Sequence, residues 1–366
     1  LAIAHDAINL SQGFPDFGPP EEVIDAAKRA LDSGENQYTI TWGAPALRQA
    51  IAAKMKQWYD LDYDPDEHVT VTCGVTEAIS ATLTALLDPG DEVIIIEPCH
   101  EGFVPAVVFP GGIPRFVPLE PPEYELDFDR LRAAFNSRTR AILVNTPHNP
   151  TGHVFRRDEL EGIARLCQEF DTVAITDEIY EHITYDEHEH IPLASIPGMI
   201  ERTVTISGLG KTFAVTGWRL GYACAHNHLS NAMRTVHDFM TICAPAPLQA
   251  AGAVALGLPA EYCVRLRRDY AARRNKIMSI LDAAGFVVRP PEGSYYVMAD
   301  FSTWDFEGDD YDLARWLPAH RGVAVVPGSC FYGTPGMGEK SVRFAFAKKM
   351  ATLDAAGKRM LEPAAG

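Results

Sequence analysis

Positive charge is the scarce component of this chain. Its 366 residues carry 32 Lys and Arg against 49 Asp and Glu, a formal net charge of −17. A field of that sign repels a nucleic-acid backbone and an anionic membrane alike, so neither is expected as a partner. Long apolar runs are missing too: none reaches the roughly 20 residues of a membrane span. No stretch near the start has the pattern of a signal peptide, and a soluble, cytoplasmic protein is expected. The chain begins at Leu1 rather than Met, and further residues upstream are expected. The seven cysteines, at 73, 99, 167, 224, 243, 263 and 330, are odd in number and form no C-x-x-C pair. Scattered among apolar neighbours, they read as reduced core thiols, not as a disulfide framework or zinc site. His188 and His190 alternate with acids in a short polar run, which reads as a solvated loop, and no metal is expected. There is no internal repeat and no low-complexity segment.

What is present is a long alternation of short apolar strands and helices. Residues 69–73, 92–96, 141–145, 172–177 and 203–207 read as strands, and helices are expected over 74–87 and about 157–169 between them. Strands that are almost continuously apolar belong in a mostly parallel sheet covered on both faces. An Arg-rich helix is expected from about residue 258 to 281. Beyond it, strands at 286–288, 295–300, 323–327 and 341–346, with one helix among them and a final helix after, suggest a smaller α+β domain. A chain with 47% hydrophobic residues and this length buries enough core for such a division.

The polar residues fall where an open parallel sheet binds ligands, at the carboxyl ends of its strands. Ser207-Gly-Leu-Gly-Lys211 leaves a strand as a glycine-rich loop and continues to Gly217-Trp-Arg219-Leu-Gly221. It sets a fork-shaped cation eight residues beyond an amine, an arrangement suited to holding a phosphate beside a reactive lysine. Gly74-Val75-Thr76, between a strand and a helix, offers backbone N–H groups and a helix dipole to the same kind of group. Asn145-Thr-Pro-His-Asn149-Pro-Thr-Gly152 makes a stiff loop able to aim the Asn149 amide. Asp177 ends an apolar strand and needs a cationic partner if buried; Arg343, on the apolar run 342–346, needs a carboxylate or an anionic ligand.

In order and spacing, Gly74-x-x-Glu-Ala, Asn149-Pro-Thr-Gly, Asp177-x-x-Tyr180, Ser207-x-x-x-Lys211, Gly217-x-Arg219-x-Gly and Arg343 together resemble the class I aminotransferases, pyridoxal phosphate enzymes of fold type I. The match runs from about residue 8 to 346. The resemblance implies an α/β fold with a large domain, residues 25–280, built on a mostly parallel seven-stranded sheet between helices. Residues 1–24 with 281–366 then form the smaller domain. It also implies roles. Lys211 holds pyridoxal 5′-phosphate as a Schiff base and moves the proton between substrate Cα and the cofactor. Asp177 pairs with the pyridine nitrogen, and Asn149 and Tyr180 bond the ring oxygen. Arg219 and the 74–76 turn grip the phosphate, joined by Tyr38 of a neighbouring subunit in a homodimer. Arg343, with Asn149 and the backbone at Gly13, clamps the substrate carboxylate. The implied reaction moves an amino group from an L-amino acid to a 2-oxo acid in two half-reactions.

Two positions depart from the commoner pattern. Where an aromatic ring usually stacks on the cofactor this chain has His100, whose titration near neutrality would make the site pH-sensitive. Where many members carry a phosphate-binding Ser, three before the lysine, it has Gly208, with Ser207 one step earlier. Within the family the chain is most similar to the kynurenine, glutamine-phenylpyruvate and methionine group, through 9–17, Thr216-Gly-Trp-Arg219 and Pro291-Glu-Gly-Ser-Tyr-Tyr-Val-Met-Ala-Asp300. That points to aromatic, sulfur-containing, glutamine or kynurenine-like substrates, with Tyr38, Trp42, Tyr295 and Tyr296 as candidate pocket rings. β-Elimination from a cysteine conjugate would use the same residues; a cofactor-binding regulator without turnover is the other reading.

Overall fold

The apolar runs become the middle of one sheet in the computed structural model, which describes residues 1–362. Its seven strands lie in the order Val69–Thr72, Gly221–Cys224, Thr203–Gly208, Val173–Asp177, Thr139–Asn145, Glu92–Glu97, Ile113–Pro118. Gly221–Cys224 runs antiparallel to both of its neighbours, and all the other adjacent pairs are parallel. Alternate side chains feed two cores. Ile94, Ile96, Ile142 and Val144 pack with Leu160 and Ile163 of helix Arg157–Glu169, while Val93, Ile95, Leu143, Ile175 and Val204 pack with Ile79 and Leu83 of helix Val75–Leu86. A sheet covered on both sides favours apolar residues on both of its faces, each worth about 1.5–3 kcal/mol when fully buried.

Two of these strands escape a reading of the sequence. Ile113–Pro118 contains Pro114 and Pro118, and is the sheet's edge, where a missing N–H is tolerated. Gly221–Cys224 is hidden at the end of the glycine-rich stretch.

After helix Glu261–Ala283, which is preceded by a separate helix Ala246–Leu256, an antiparallel sheet follows in the order Val326–Pro327, Ser341–Ala345, Tyr296–Asp300, Val287–Val288. The run 323–327, expected as one strand, is two. Val323–Ala324 pairs in parallel with Ile8–Asn9, and Val326–Pro327 pairs with Ser341–Ala345. Its two halves therefore have different partners, and the first binds the start of the chain to this region. Leu10 carries the connection further: its carbonyl accepts from Ala345 N at 2.7 Å and its side chain shares a core with Leu313, Phe344 and Leu353. Helices Asp310–Arg321 and Met350–Leu361 complete the region; residues 363–366, assigned from sequence to the smaller domain, lie outside the described residues.

All seven cysteines are free; Cys99, Cys167, Cys224 and Cys263 are buried. Among the described residues no helix is long and apolar enough to cross a membrane.

Candidate active site

Asn145 and Asp177 are register partners at the ends of adjacent parallel strands, and Asp177 pairs in turn with Ile206. The loops that leave these strands therefore start side by side. Together with the start of helix Val75–Leu86 they enclose a cavity of about 230 Å³. Gly74, Val75, Thr76, His100, Asn149, Asp177, Tyr180, Lys211 and Arg219 all line it, and so does Tyr296.

At one end stands an anion cradle. Gly74, at φ 86°, caps the helix, leaving the first N–H groups of the helix without helical partners. Arg219 is held in the left-handed region at φ 54°, ψ 51°, and its Nη1 donates to Thr216 O at 3.1 Å. Its guanidinium passes so close to Gly74 that a Cβ there would lie 2.5 Å from Nη2. Glycine at this positive-φ position lets the turn and the cation converge. Glu77, the acid of the Gly-x-x-Glu motif, braces the turn: its carboxylate accepts from Cys73 N–H, and its Oε1 is bonded to His237 Nδ1 and Thr241 Oγ1, both at 2.6 Å.

At the other end the strand-end polar residues form a chain. Asn145 Nδ2 donates to Asp177 O at 2.8 Å, and Asn145 Oδ1 accepts from Asn149 N at 2.7 Å. Arg343 Nη1 donates to Asn149 Oδ1 at 2.9 Å and Nη2 to Ser11 O at 3.0 Å, while its buried Nε has no partner. The guanidinium sits between the rings of Tyr296 and Phe331, at 4.3 and 4.5 Å. Lys211 Nζ donates to Gly13 O at 2.9 Å, which also accepts from Tyr295 OH at 2.7 Å. The expected cationic partner of Asp177 is not in an ion pair among the described residues. Burial pushes the carboxyl up to about 7, with the Ile179 N–H and then the Lys211 charge opposing.

Four expectations need correction or resolution. His100 lines the cavity, but burial, then the nearby Lys211 and Arg343 charges against an opposing Glu101, hold its pKa below the ordinary value. Its Nδ1 accepts from Gly102 N at 3.0 Å, and the shift is away from the protonated form. Ser207 donates to Glu181 Oε1 at 2.6 Å and turns away from the cradle; a Cβ at Gly208 would meet Leu220 O at 2.7 Å, which leaves no room for the usual serine. His190 is buried, not solvated, and its Nε2 lies 2.8 Å from Glu178 Oε2. Tyr38 is outside the cavity and 76% exposed.

Sequence reasoning missed the groups behind the site. Lys54 forms a buried ion pair with Glu181, which also accepts from Tyr59 OH at 2.7 Å. Glu178, Glu181 and His190 approach within 4.8 Å of one another, but Thr176, Lys54, Tyr59 and Ser207 already hold these carboxylates. The only hint was the pair of acids interleaved with Asp177 and Tyr180 in 177–181.

Comparison with known proteins agrees with this geometry. Residues 5–360 match the family described as aminotransferase class I and II. The chain is 40% identical to the probable N-succinyldiaminopimelate aminotransferase DapC of Mycobacterium tuberculosis, over 98% of this chain and 93% of that protein. It is 38% identical to kynurenine–oxoglutarate transaminase 1 of Homo sapiens, with the same coverage. The crystal structure of YbdL from Escherichia coli, for which a methionine aminotransferase function was identified, superposes with a TM-score of 0.95 at 36% identity, over 98% of this chain and 94% of that one. The chain belongs to the class I and II aminotransferases, fold type I enzymes that depend on pyridoxal phosphate.

Proposed function

We propose that the cavity around Lys211 holds pyridoxal 5′-phosphate for transfer of amino groups from amino acids with uncharged, aromatic or sulfur-containing side chains. The residues present fit the cofactor at each of its polar points. The cradle of Gly74, Val75, Thr76 and Arg219 suits a phosphate. The buried carboxyl of Asp177, in no ion pair among the described residues, suits a pyridinium nitrogen, and the Asn149 amide and Tyr180 hydroxyl suit a ring oxygen. When bound, the cofactor supplies an electron sink that lets the substrate Cα–H ionise. Lys211 Nζ is the group that attaches the cofactor and then takes and returns the Cα proton, for which it must be neutral. Arg343, sandwiched between two rings with its Nε unsatisfied, orients the substrate carboxylate with two parallel N–H donors.

The observation that carries this reading is the meeting of Lys211, Asp177, Asn149 and Arg219 in one cavity, with Arg343 bonded to Asn149. The side-chain preference is supported by walls of Phe103, Tyr180, Tyr296 and His100, whose pKa burial lowers, with Lys211 and Arg219 the only Lys or Arg that line the cavity among the described residues. A substrate with a second carboxylate finds no further cation of the same subunit lining the cavity among the described residues. The human and E. coli relatives named for kynurenine and methionine agree with it better than the succinyldiaminopimelate relative does.

A cytoplasmic homodimer is part of the proposal, with residues 25–280 as the larger domain and 1–24 with 281–366 as the smaller. Tyr38, Ile40, Phe239, Met240 and Ile242 form exposed apolar surface. Thr41 O, bonded to His237 Nε2 at 2.8 Å, links the two segments that carry it, next to the Cys73 edge of the cradle. A second copy docked there brings Tyr38 to its neighbour's phosphate. Sedimentation of a fully active monomer would contradict that arrangement.

The test of the whole reading is a spectral half-reaction screen of the 20 amino acids on the purified enzyme, with Lys211→Ala as control. Aromatic and sulfur amino acids should discharge the visible band fastest. The variant should lose that band and at least 10²- to 10⁴-fold of the turnover, as expected for removal of a general base. Undiminished turnover by Lys211→Ala would sink the assignment.

A further inference from the structure

The hydroxyls of Tyr180 and Tyr296 lie 3.2 Å apart inside the cavity, and neither has another hydrogen-bond partner among the described residues. Tyr180 donates to Tyr296 in this arrangement, but a phenol hydroxyl rotates and can also accept, so the pair can reverse. Tyr296 is held firmly. It starts the strand Tyr296–Asp300, is 3% exposed, and a Cβ on Gly13 would overlap its hydroxyl. The Arg343 guanidinium lies 4.3 Å over its ring, a position in which positive charge favours donation of the phenol proton.

We propose that Tyr296 is a positioning residue acting through Tyr180. Its hydroxyl donates to the Tyr180 oxygen, which frees the Tyr180 proton to bond the cofactor's ring oxygen and strengthens that bond. This rests on the assignment of Tyr180 made above. A hydrogen-bond chain polarises each member, so a phenol that accepts one bond is a better donor in the next. Burial, and after it the neighbouring Tyr296, keeps the Tyr180 hydroxyl protonated, as a donor must be. Nothing covalent changes in this step; both hydroxyl protons rotate, that of Tyr180 from Tyr296 to the ring oxygen and that of Tyr296 onto the Tyr180 oxygen.

The readout is the pH midpoint at which the visible band of the lysine-bound cofactor changes. Donation to the ring oxygen withdraws electron density that otherwise holds the proton on the linkage nitrogen, so weakening the donation moves the midpoint upward. The holoenzymes to compare are wild type, Tyr296→Phe, Tyr180→Phe and the double variant. Tyr180→Phe should raise the midpoint by about one unit or more, and Tyr296→Phe by about half a unit, the range a single hydrogen bond commands. The double variant should match Tyr180→Phe, because Tyr296 has nothing to act through once its acceptor is gone. Tyr296→Phe keeps the ring over Arg343, so its thermal midpoint and cofactor affinity should stay close to wild type.

An unmoved midpoint in Tyr296→Phe, or shifts that add fully in the double variant, would overturn the proposal while leaving the assignment of Tyr180 standing. An unmoved midpoint in Tyr180→Phe would overturn both.

Discussion

Replacing Asp177 by Asn separates what this carboxylate costs the fold from what it gives the chemistry. Burial raises its pKa from 3.8 to about 7. The folded value lies above the unfolded one, so the associated stability is complete below the unfolded pKa and is lost as the pH rises through the folded one. A gap of about three units corresponds to about 4 kcal/mol at 1.36 kcal/mol per unit. Local relaxation around a buried charge lowers that, leaving about 2–4 kcal/mol at about pH 8. Asn has the same shape, and its Oδ1 can keep the 3.3 Å bond from Ile179 N. The cofactor-free Asp177→Asn protein should therefore be more stable than cofactor-free wild type at about pH 8, and the advantage should shrink by about half toward pH 5. Urea unfolding at a series of pH values measures it. Adding the cofactor should reverse the order, since only the carboxylate gains a pyridinium partner, and turnover of the variant should fall by at least about 10²-fold. A stability difference that does not change with pH, or a cofactor-free wild type that is the more stable at about pH 8, would refute the reasoning.

The other predictions concern groups at the two ends of the cavity. Arg343→Lys replaces a fork by a point charge and should weaken binding of the amino acid by about 10- to 100-fold, seen mainly as a raised KM in steady-state kinetics. Gly208→Ser restores the residue common in relatives but meets Leu220 O at 2.7 Å and Gly221 Cα at 3.1 Å. It should cost about 1–3 kcal/mol in equilibrium unfolding and loosen the cofactor; tighter binding would contradict the packing described here.

Much of the site is legible in sequence because its residues interrupt runs that are otherwise apolar. Asn145 and Asp177 stand out at the ends of strands that are mostly apolar, and Arg343 does so within 342–346. Glycines mark where backbone must approach a ligand, which is why Gly74 and the loop to Lys211 are readable. Contacts between distant segments are not. Nothing near Gly74 announces that Arg219 arrives in a left-handed conformation to share its space. Nothing in helix Pro45–Tyr59 distinguishes Lys54, buried against Glu181, from Lys56, exposed two residues later. The split of 323–327 depends on two partners more than 300 and about 15 residues away in sequence, beyond the reach of any local period.

The loop after Asp177 explains why the departure at 207–208 is consistent with a working site. Asp177 and Tyr180 line the cavity, while Glu178 and Glu181 point the other way, to Thr176 and His190 and to Lys54, Tyr59 and Ser207. Burial opposes ionisation of Glu181, but the Lys54 charge and hydrogen bond together with the neighbouring His182 and His190 outweigh it and hold the carboxyl well below the ordinary range. Breaking such a pair from one side costs about 3–5 kcal/mol, so the loop is fixed from behind by an interaction the cavity never sees. Ser207 belongs to that rear network. With the hydroxyl committed there, position 208 carries no side chain, and its backbone can close on Leu220 and Gly221. Gly221 in turn lies against the backbone of Gly74, where the Arg219 guanidinium arrives. Moving the serine back by one residue thus removes one hydroxyl from the anion cradle, yet it lets the two strands approach closely enough for Arg219 and the 74–76 turn to form the cradle without it.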